Sequence, residues 1–514
     1  MRFLVHSEVG AAQIASSLGL PDYSYYFVLK EFLPLLRELG EVIVVEHPQA
    51  EVDALYEQAR ERGEACVFLS FTPPHKTAQG LRCPTVPVFA WEFDSIPNQC
   101  WLDDERQNWA AVLAGCGQAI THSNLTVEAV RNELGADYPI LSIPAPVWDR
   151  FAPLRENDPG QSSAIDTEIR VRSGVLMDSH DLSLAPYIPD ADAVARAVAD
   201  AREREQPAQP PEPPKAPAQA AAVAAGESRL RITLRYLVEW YRLVWLDLLR
   251  PAAGVSESAP EAQRQMEPPN PVEPGGLPEL PGTLKDMPEL PLAEHCLKLS
   301  GVVFTAVFNP YDGRKNWVDM LTAFCSAFRD TADATLLFKL GHHDYQSAMN
   351  DMLMCMARMP AFKCRVVLLH GFLDGADYAA LIRSTAFVVN ASHGEGQCLP
   401  LMEFLSCGKP AVAPCHSAMA DYIDADIAFV VDSWLDATAW PHDPRLAYRT
   451  LRHQIDWASL VSAYREAYRT FMENPERYRQ MAAASVARMR EHCSRATAGA
   501  RLASLLKLNE RAEA

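Results

Sequence analysis

The segment Ser392-His393-Gly394-Glu395-Gly396-Gln397-Cys398-Leu399-Pro400-Leu401-Met402-Glu403 sets two carboxylates eight residues apart around a loop punctuated by glycine. Pro400 suits the first turn of a helix, and Gly394 and Gly396 free the loop ahead of it to bring backbone N–H groups close to a ligand. The unpaired N–H groups and partial positive charge of such a helix start can seat a diphosphate without a metal. The spacing of Glu395 and Glu403 alone carries almost nothing; the weight lies in the order strand, glycine loop, proline, helix. A second cluster, Asn309-Pro310-Tyr311-Asp312-Gly313-Arg314-Lys315-Asn316-Trp317, puts two adjacent cations at a helix start, where the dipole favours acids. A bound anion offsets that conflict; the plain alternative is a pair of solvated surface charges.

These loops need strands behind them. Short apolar runs at Phe3–Val5, Val42–Val45, Cys66–Leu69, Val86–Ala90, Ala119–Thr121 and Ile140–Ile143 alternate with helical stretches such as Tyr26–Leu39, Val52–Arg62 and Thr126–Leu134. The scheme repeats with Val302–Phe308, Thr335–Leu340, Val366–Leu369, Phe387–Asn390, Ala411–Ala413 and Ala428–Val431. Apolar strands separated by helices predict parallel sheets covered on both faces, so the fold class is α/β with two doubly wound domains. In such sheets ligands bind beyond the carboxyl ends of the strands, which places a substrate in the cleft between the domains.

Between the halves, 16 of the 39 prolines fall in the 85 residues from Pro207 to Pro291. Composition therefore divides the chain into a Rossmann-like domain at 1–155, a Pro/Ala-rich insert at 156–295, a second Rossmann-like domain at 296–470, and helices at 471–514 crossing back toward the first. Inside the insert, residues 228–250 carry Arg231, Arg235, Glu239 and Arg242 on one helical face and a Leu, Val, Tyr and Trp surface on the other. Three partners are open to that amphipathic helix: an anionic membrane, a second protein, or the chain itself.

The 514 residues exceed what one core commonly serves, and 48% apolar with 22% charged residues is ordinary soluble usage. A net charge of −19 argues against nucleic acid as a partner. The twelve cysteines show no CxxC pair, so reduced thiols are expected. The N-terminal apolar run is broken at once by His6 and Glu8, too early for a signal peptide, so a cytoplasmic protein is expected, peripheral on the inner face of the membrane if 228–250 binds lipid.

The runs RKNW at 314–317, LLFKLG at 336–341, HGFLDGADYAALI at 370–382 and NASHGEGQCLPLMEFLSCGKPAVAP at 390–414 resemble the donor half of glycosyltransferase family 4, retaining enzymes of the GT-B fold. The likeness covers essentially all of 300–510. It implies that Glu395 contacts the donor sugar near the reacting carbon, that Glu403 contacts the ribose, and that Arg314 and Lys315 neutralise the leaving diphosphate. Gly394 and the backbone of Gly396, Gln397, Cys398 and Leu399 would hold phosphate and sugar. Many members carry an arginine six residues before the lysine; Asn309 stands there, and Arg314 is the candidate substitute. In the first domain, Val88-Phe89-Ala90-Trp91-Glu92-Phe93-Asp94-Ser95-Ile96-Pro97 has Glu92 where many members have histidine. Glu92 contacts the acceptor hydroxyl, acts as a base, or packs with Trp91. Gly10 is at the usual place for backbone approach to phosphate, with a tight turn as the alternative, while His6 and His75 read as structural.

The resemblance implies transfer of a hexose-type sugar from a nucleotide-sugar to a glycan or lipid-linked acceptor, in bacterial surface polysaccharide synthesis. Attack would come from the front face, assisted by the departing phosphate. No metal or other cofactor is expected; Asp190/Asp192 and Asp424/Asp426 match the DxD string of another fold but lack supporting residues. Alternative readings are a nucleotide-sugar epimerase or phosphorylase of the same fold, and a non-catalytic scaffold subunit of a polysaccharide assembly.

Overall fold

The computed structural model describes residues 1–9, 23–157, 168–188, 195–196, 199 and 289–506. The apolar runs of the first half become β1 (Arg2–His6), β2 (Glu41–Val44), β3 (Cys66–Ser70), β4 (Thr85–Phe89), β5 (Ala119–Thr121) and β6 (Ile140–Ser142). They pair in parallel in the order β2-β1-β3-β4-β5-β6. Every residue of β1 and β3 is buried, as a strand covered on both faces requires.

The second sheet has eight strands: β7 (Glu168–Asp178), β8 (Ala293–Lys298), β9 (Val302–Phe308), β10 (Ala334–Leu340), β11 (Arg365–Gly371), β12 (Phe387–Val389), β13 (Ala411–Pro414) and β14 (Ala428–Val431). Their order is β14-β13-β12-β9-β10-β11-β7-β8. The six from β9 to β14 are parallel; β7 runs antiparallel to β11, and β8 antiparallel to β7. The expected pair of doubly wound α/β sheets is therefore present.

Two features differ from the reading of the chain. Residues 168–178 and 293–295 were assigned by composition to the insert, yet they form the edge of the second sheet. In β7, buried Ile169 and Val171 alternate with exposed Glu168, Arg170 and Arg172, the period-two pattern of a half-solvated edge. Arg365 of β11 fixes the join with two bonds to Asp178 Oδ2, at 2.6 and 2.9 Å. A hairpin of β15 (Ser433–Ala439) and β16 (Tyr448–Ile455) also follows β14.

Both sheets belong to one compact unit, and its core is continuous: Trp91, Ile143 and Val147 of the first half share a cluster with Leu401, Phe404 and Met419 of the second. The helices Trp457–Glu473 and Pro475–Cys493 are separated by Asn474, whose side chain caps the second through Arg477 N–H ahead of Pro475. The last helix, Arg495–Leu505, lies against the first sheet: Arg501 Nη1 donates to Ser142 O at 2.9 Å and Arg495 N to Asp149 Oδ2 at 2.7 Å. Gly10, Asp190, Asp192 and the segment 228–250 lie outside the described residues. Among the described residues no helix is long and apolar enough to cross a membrane.

Candidate active site

The second sheet reverses its winding at β9, which has β12 on one side and β10 on the other. Loops leaving β9 and β12 therefore diverge at their carboxyl ends, and that switch point is where an open α/β sheet accepts a ligand. Both sequence clusters sit there. The β9 loop turns through a 3-10 segment, Gly313–Lys315, into the helix Trp317–Ala327; the β12 loop enters the helix Leu399–Ser406. Each helix is preceded by a non-glycine residue in the left-handed region, Asn316 at φ 53° and Cys398 at φ 65°. That conformation costs about 1–2 kcal/mol for a residue with a Cβ, so packing must hold it. The Asn316 amide does so by donating to Asp319 Oδ2 at 2.9 Å and Ala391 O at 3.1 Å, which ties the two loops together.

Glu395 is the centre of the constellation. Lys315 Nζ donates to its two oxygens at 2.7 and 2.8 Å, and Arg314 Nη1 to Oε2 at 3.3 Å. Ser392 Oγ and Asn390 Nδ2 donate to Oε1 at 2.6 and 3.0 Å. Its own N–H donates to Ser417 Oγ at 2.9 Å. Burial by itself would raise the pKa of this carboxyl, but the Lys315 and Arg314 charges outweigh it and hold the group at about 2. Arg314 is pinned elsewhere by Asp312 Oδ2 at 2.9 Å and Gly394 O at 2.9 Å.

The first domain contributes Glu92, whose Oε1 lies 3.3 Å from Arg314 Nε. Burial raises its pKa, with Arg314 opposing and Asp312 and Glu395 adding to the rise. A Cβ on Gly394 would lie 3.3 Å from Glu92 Cβ, and one on Gly396 only 2.9 Å from Ala90 Cβ and from Trp91 N. Gly396 is thus required by the opposite domain's backbone approach and Gly394 is tightly packed against Glu92, reasons separate from the expected approach of a ligand. Gln397 crosses as well, its Oε1 accepting from Ala145 N at 3.1 Å, while its buried Nε2 has no partner among the described residues. The N–H groups of Cys398 and Leu399, at the partly exposed helix start, likewise have no protein acceptor among the described residues.

Glu403 belongs to a different network. Its Oε1 accepts from Arg150 Nη2 and its Oε2 from Tyr378 OH at 2.5 Å; Arg150 Nη1 also donates to Glu31 on the helix Tyr23–Leu39. Burial pushes the Glu31 pKa up to about 7 even though Arg150 opposes the rise. Asn309 accepts from Tyr311 N at 3.0 Å in the turn after β9. His6 is buried, with Nδ1 2.9 Å from Val45 O, and His75 stacks on Trp109 at 5.7 Å. Asp424 is paired with Arg488 at 2.5 Å, and no group of three or more metal-ligating side chains occurs among the described residues.

Sequence reasoning did not single out Asn390, Ser392, Asp312, Ser417, Arg150 or Tyr378. Asn390, Ser392, Asp312 and Tyr378 stand inside the quoted runs and were detectable there; Ser417 and Arg150 lie outside them. The β15–β16 hairpin is another such contributor. Thr450 Oγ1 and Leu451 N both donate to Asp94 Oδ1, at 2.7 and 3.0 Å, and Trp440 stacks on Trp101 at 6.4 Å. At its base His453 lies ring to ring on His416 at 4.1 Å, and His453 N donates to His393 O at 2.9 Å. Burial, with His453 adding, lowers the His416 pKa to about 3, so that ring is neutral.

No family model matches the chain, and no curated protein matches it in sequence. Among solved structures, Anabaena Alr3699/HepE in complex with UDP and glucose aligns with 10% identity over 99% of each chain at a TM-score of 0.42. The sucrose-phosphate synthase (tll1590) from Thermosynechococcus elongatus gives 10% identity, 99% of each chain and 0.42. A glycosyltransferase from Rickettsia africae ESF-5 gives 9%, 98% of each chain and 0.45. At such scores these alignments carry no argument about this chain, and its functional reading rests on its own residues.

Proposed function

We propose that this chain is a retaining glycosyltransferase that moves a hexose-type sugar from a nucleoside-diphosphate donor to a glycan or lipid-linked acceptor in surface polysaccharide synthesis. One observation carries the reading: Arg314, Lys315 and the open N-terminus of the helix Leu399–Ser406 converge with a buried, ionised Glu395 at the switch point of the second sheet. Sugar transfer must stabilise an oxocarbenium-like centre while negative charge grows on a departing diphosphate. A carboxylate held at a pKa of about 2 serves the first need, and fixed cations beside a helix start serve the second.

The charge balance sets Glu92's part. Among the described residues, Glu92, Asp312 and Glu395 pair with Arg314 and Lys315, three carboxylates against two cations, so a diphosphate adds negative charge to a site already rich in carboxylates. Glu92 is the member whose pKa is raised, and taking up a proton there frees Arg314 for the phosphate. The same proton is then at hand beside the acceptor oxygen and the leaving group. Contacts of Gly394 and Gly396 with the first domain must part for the donor to enter, as in other enzymes whose domains close on substrate. The chemistry so assigned uses no metal.

The test is product analysis with UDP, GDP and ADP sugars, with and without acceptor. Glu395→Gln is expected to keep its circular dichroism spectrum and lose turnover by about a hundredfold or more. Unchanged turnover removes Glu395 from the chemistry. Consumption of the nucleotide-sugar to an epimer without acceptor, or to a sugar phosphate with inorganic phosphate, replaces transfer by the epimerase or phosphorylase reaction.

A further inference from the structure

The β15–β16 hairpin belongs to neither large sheet; among the described strands its two members pair with each other alone. A two-stranded ladder is marginally stable by itself, so its conformation depends on what holds its ends. Its tip is locked to the loop that carries Glu92. Trp440 stacks on Trp101 and donates from Nε1 to Ser95 Oγ at 3.3 Å, and that hydroxyl donates in turn to Arg449 O at 3.2 Å. Thr450 Oγ1 and Leu451 N share Asp94 Oδ1 as their acceptor. Trp91 Nε1 donates to Ser95 O at 2.7 Å, and Trp91 O accepts from Thr126 Oγ1 at 2.8 Å. Glu92 and Asp94 therefore sit in one closed turn, 91–95, and shift together.

The base of the hairpin is tied to the opposite loop. His453 N donates to His393 O at 2.9 Å, and His393 Nδ1 lies 2.9 Å from His453 O. His393 in turn donates its N–H to Arg314 O at 2.8 Å and stands two residues before Glu395. Leu451 and His453 are two residues apart on β16, a span of about 7 Å. The contacts close a ring: Glu92 to Arg314, Arg314 to His393, His393 to His453, along β16 to Leu451, and through Asp94 back to the Glu92 turn. Asp94 Oδ1 is committed to the hairpin, so Asp94 bears on the reaction through the turn and not at the reacting atoms.

We infer that the β15–β16 hairpin is a strap that sets Glu92 against Glu395, and that Asp94 is a positioning residue for the transfer reaction. The two carboxylates come from different sheets, so neither sheet fixes their spacing; the strap spans both loops and does. Reacting groups must be held in a near-attack geometry, and a misplacement of about 1 Å can cost about a hundredfold in rate. The inference rests on the part given to Glu92 in the preceding section and deepens it. A hairpin that merely stabilises the fold would lower the unfolding midpoint when loosened, with no particular tie to Glu92, and the test separates the two.

The experiment measures kcat and KM of the full chain with whichever UDP, GDP or ADP sugar the wild type turns over, water serving as the acceptor. The variants are Asp94→Ala, Asp94→Asn and Thr450→Val, with Asp94→Ala repeated in a Glu92→Gln background. Asp94→Ala should lower kcat by about tenfold and leave the donor KM within about twofold. Asp94→Asn, whose amide oxygen still accepts from both donors, should return kcat to within about threefold of wild type. Thr450→Val keeps Asp94 charged and removes one of its two bonds, so its intermediate loss checks the strap even where Asp94→Ala misfolds. With Glu92→Gln in place, Asp94→Ala should cost no more than about twofold further, because residues that act through one another are not additive. An Asn variant as slow as Ala, equal losses in both backgrounds, or an unchanged kcat in Asp94→Ala and Thr450→Val overturns the strap and leaves the transferase reading standing. Absence of turnover of all these sugars by folded wild type overturns both.

Discussion

Replacing Arg150 by methionine isolates the energetics of the cross-domain network. Arg150 is the cation between Glu31 of the first domain and Glu403 of the second, and both carboxylates are largely buried. Removing one partner of a buried ion pair commonly costs about 3–5 kcal/mol, because the remaining charge stays desolvated. The loss depends on pH in a defined direction. Folded Glu31 titrates at about 7 against an ordinary value of 4.5, so the native state binds its proton more tightly than the unfolded chain. Its stability contribution is complete below pH 4.5 and declines as pH rises through about 7; at about 1.4 kcal/mol per pH unit the full decline is about 3 kcal/mol. At pH 5.5 Glu31 is protonated with or without Arg150 and its part of the loss is small, whereas at pH 8 the variant either keeps Glu31 ionised without its cation or must protonate it, and both are costly. Urea unfolding midpoints at the two pH values should therefore show Arg150→Met losing about 3–5 kcal/mol at pH 8 and about half that at pH 5.5, with the m-value unchanged. Adding Glu31→Gln should recover most of the difference at pH 8. A loss equal at both pH values, or under about 1 kcal/mol at pH 8, refutes the buried-triad account.

The other perturbations address the loop and its covers. Folded Glu395 titrates at about 2, below its ordinary 4.5, so it stabilises the chain above pH 4.5 by about 3 kcal/mol and loses this as pH falls through about 2; acid unfolding of Glu395→Gln should be correspondingly flatter over that window. Gly396→Ala drives a methyl to 2.9 Å from Ala90 Cβ and Trp91 N, so a loss of about 1–3 kcal/mol in thermal or urea unfolding is expected, and an unchanged midpoint would show that the domains do not meet at this residue. Asp94→Ala strips the acceptor from Thr450 Oγ1 and Leu451 N, and limited proteolysis should then cut within 440–448 faster than in wild type, while equal rates would deny Asp94 its part in holding the hairpin.

The twelve apolar runs read from the chain are all strands, and apart from the exposed edge strand β2 they are largely buried, because a parallel strand covered on both faces must be apolar along its length and so declares itself. Four strands escaped for the converse reason. β7 and β8 form a sheet edge with polar outward positions, and β15 and β16 expose Trp434, Leu435 and Tyr448 and pair, among the described strands, with each other alone. Such segments have the composition of loops, and only pairing distinguishes them. The division between insert and second domain failed on the same ground, since proline density marks where a core is absent and says nothing of an edge strand on either side.

The candidate site was legible in proportion to how local its parts are. Arg314, Lys315 and Glu395 lie in two loops entering two helices off adjacent strands, so once the sheet is doubly wound its switch point brings them together. What closes over them comes from sequence separations of about 250–350 residues: Ala145 on Gln397, Asn124 on Asp421, Asp94 on Thr450, Arg150 on Glu403. Each of these polar residues reads as surface when met along the chain, because its partner belongs to the other sheet. The two glutamates of one motif accordingly part company. Glu395, in the loop, faces the cations of its own domain, while Glu403, on the helix that the loop enters, is claimed by an arginine that the first domain supplies. A ligand that engages both glutamates must compete with an internal ion pair at each end, so binding to this loop and the contact between the two sheets draw on the same side chains.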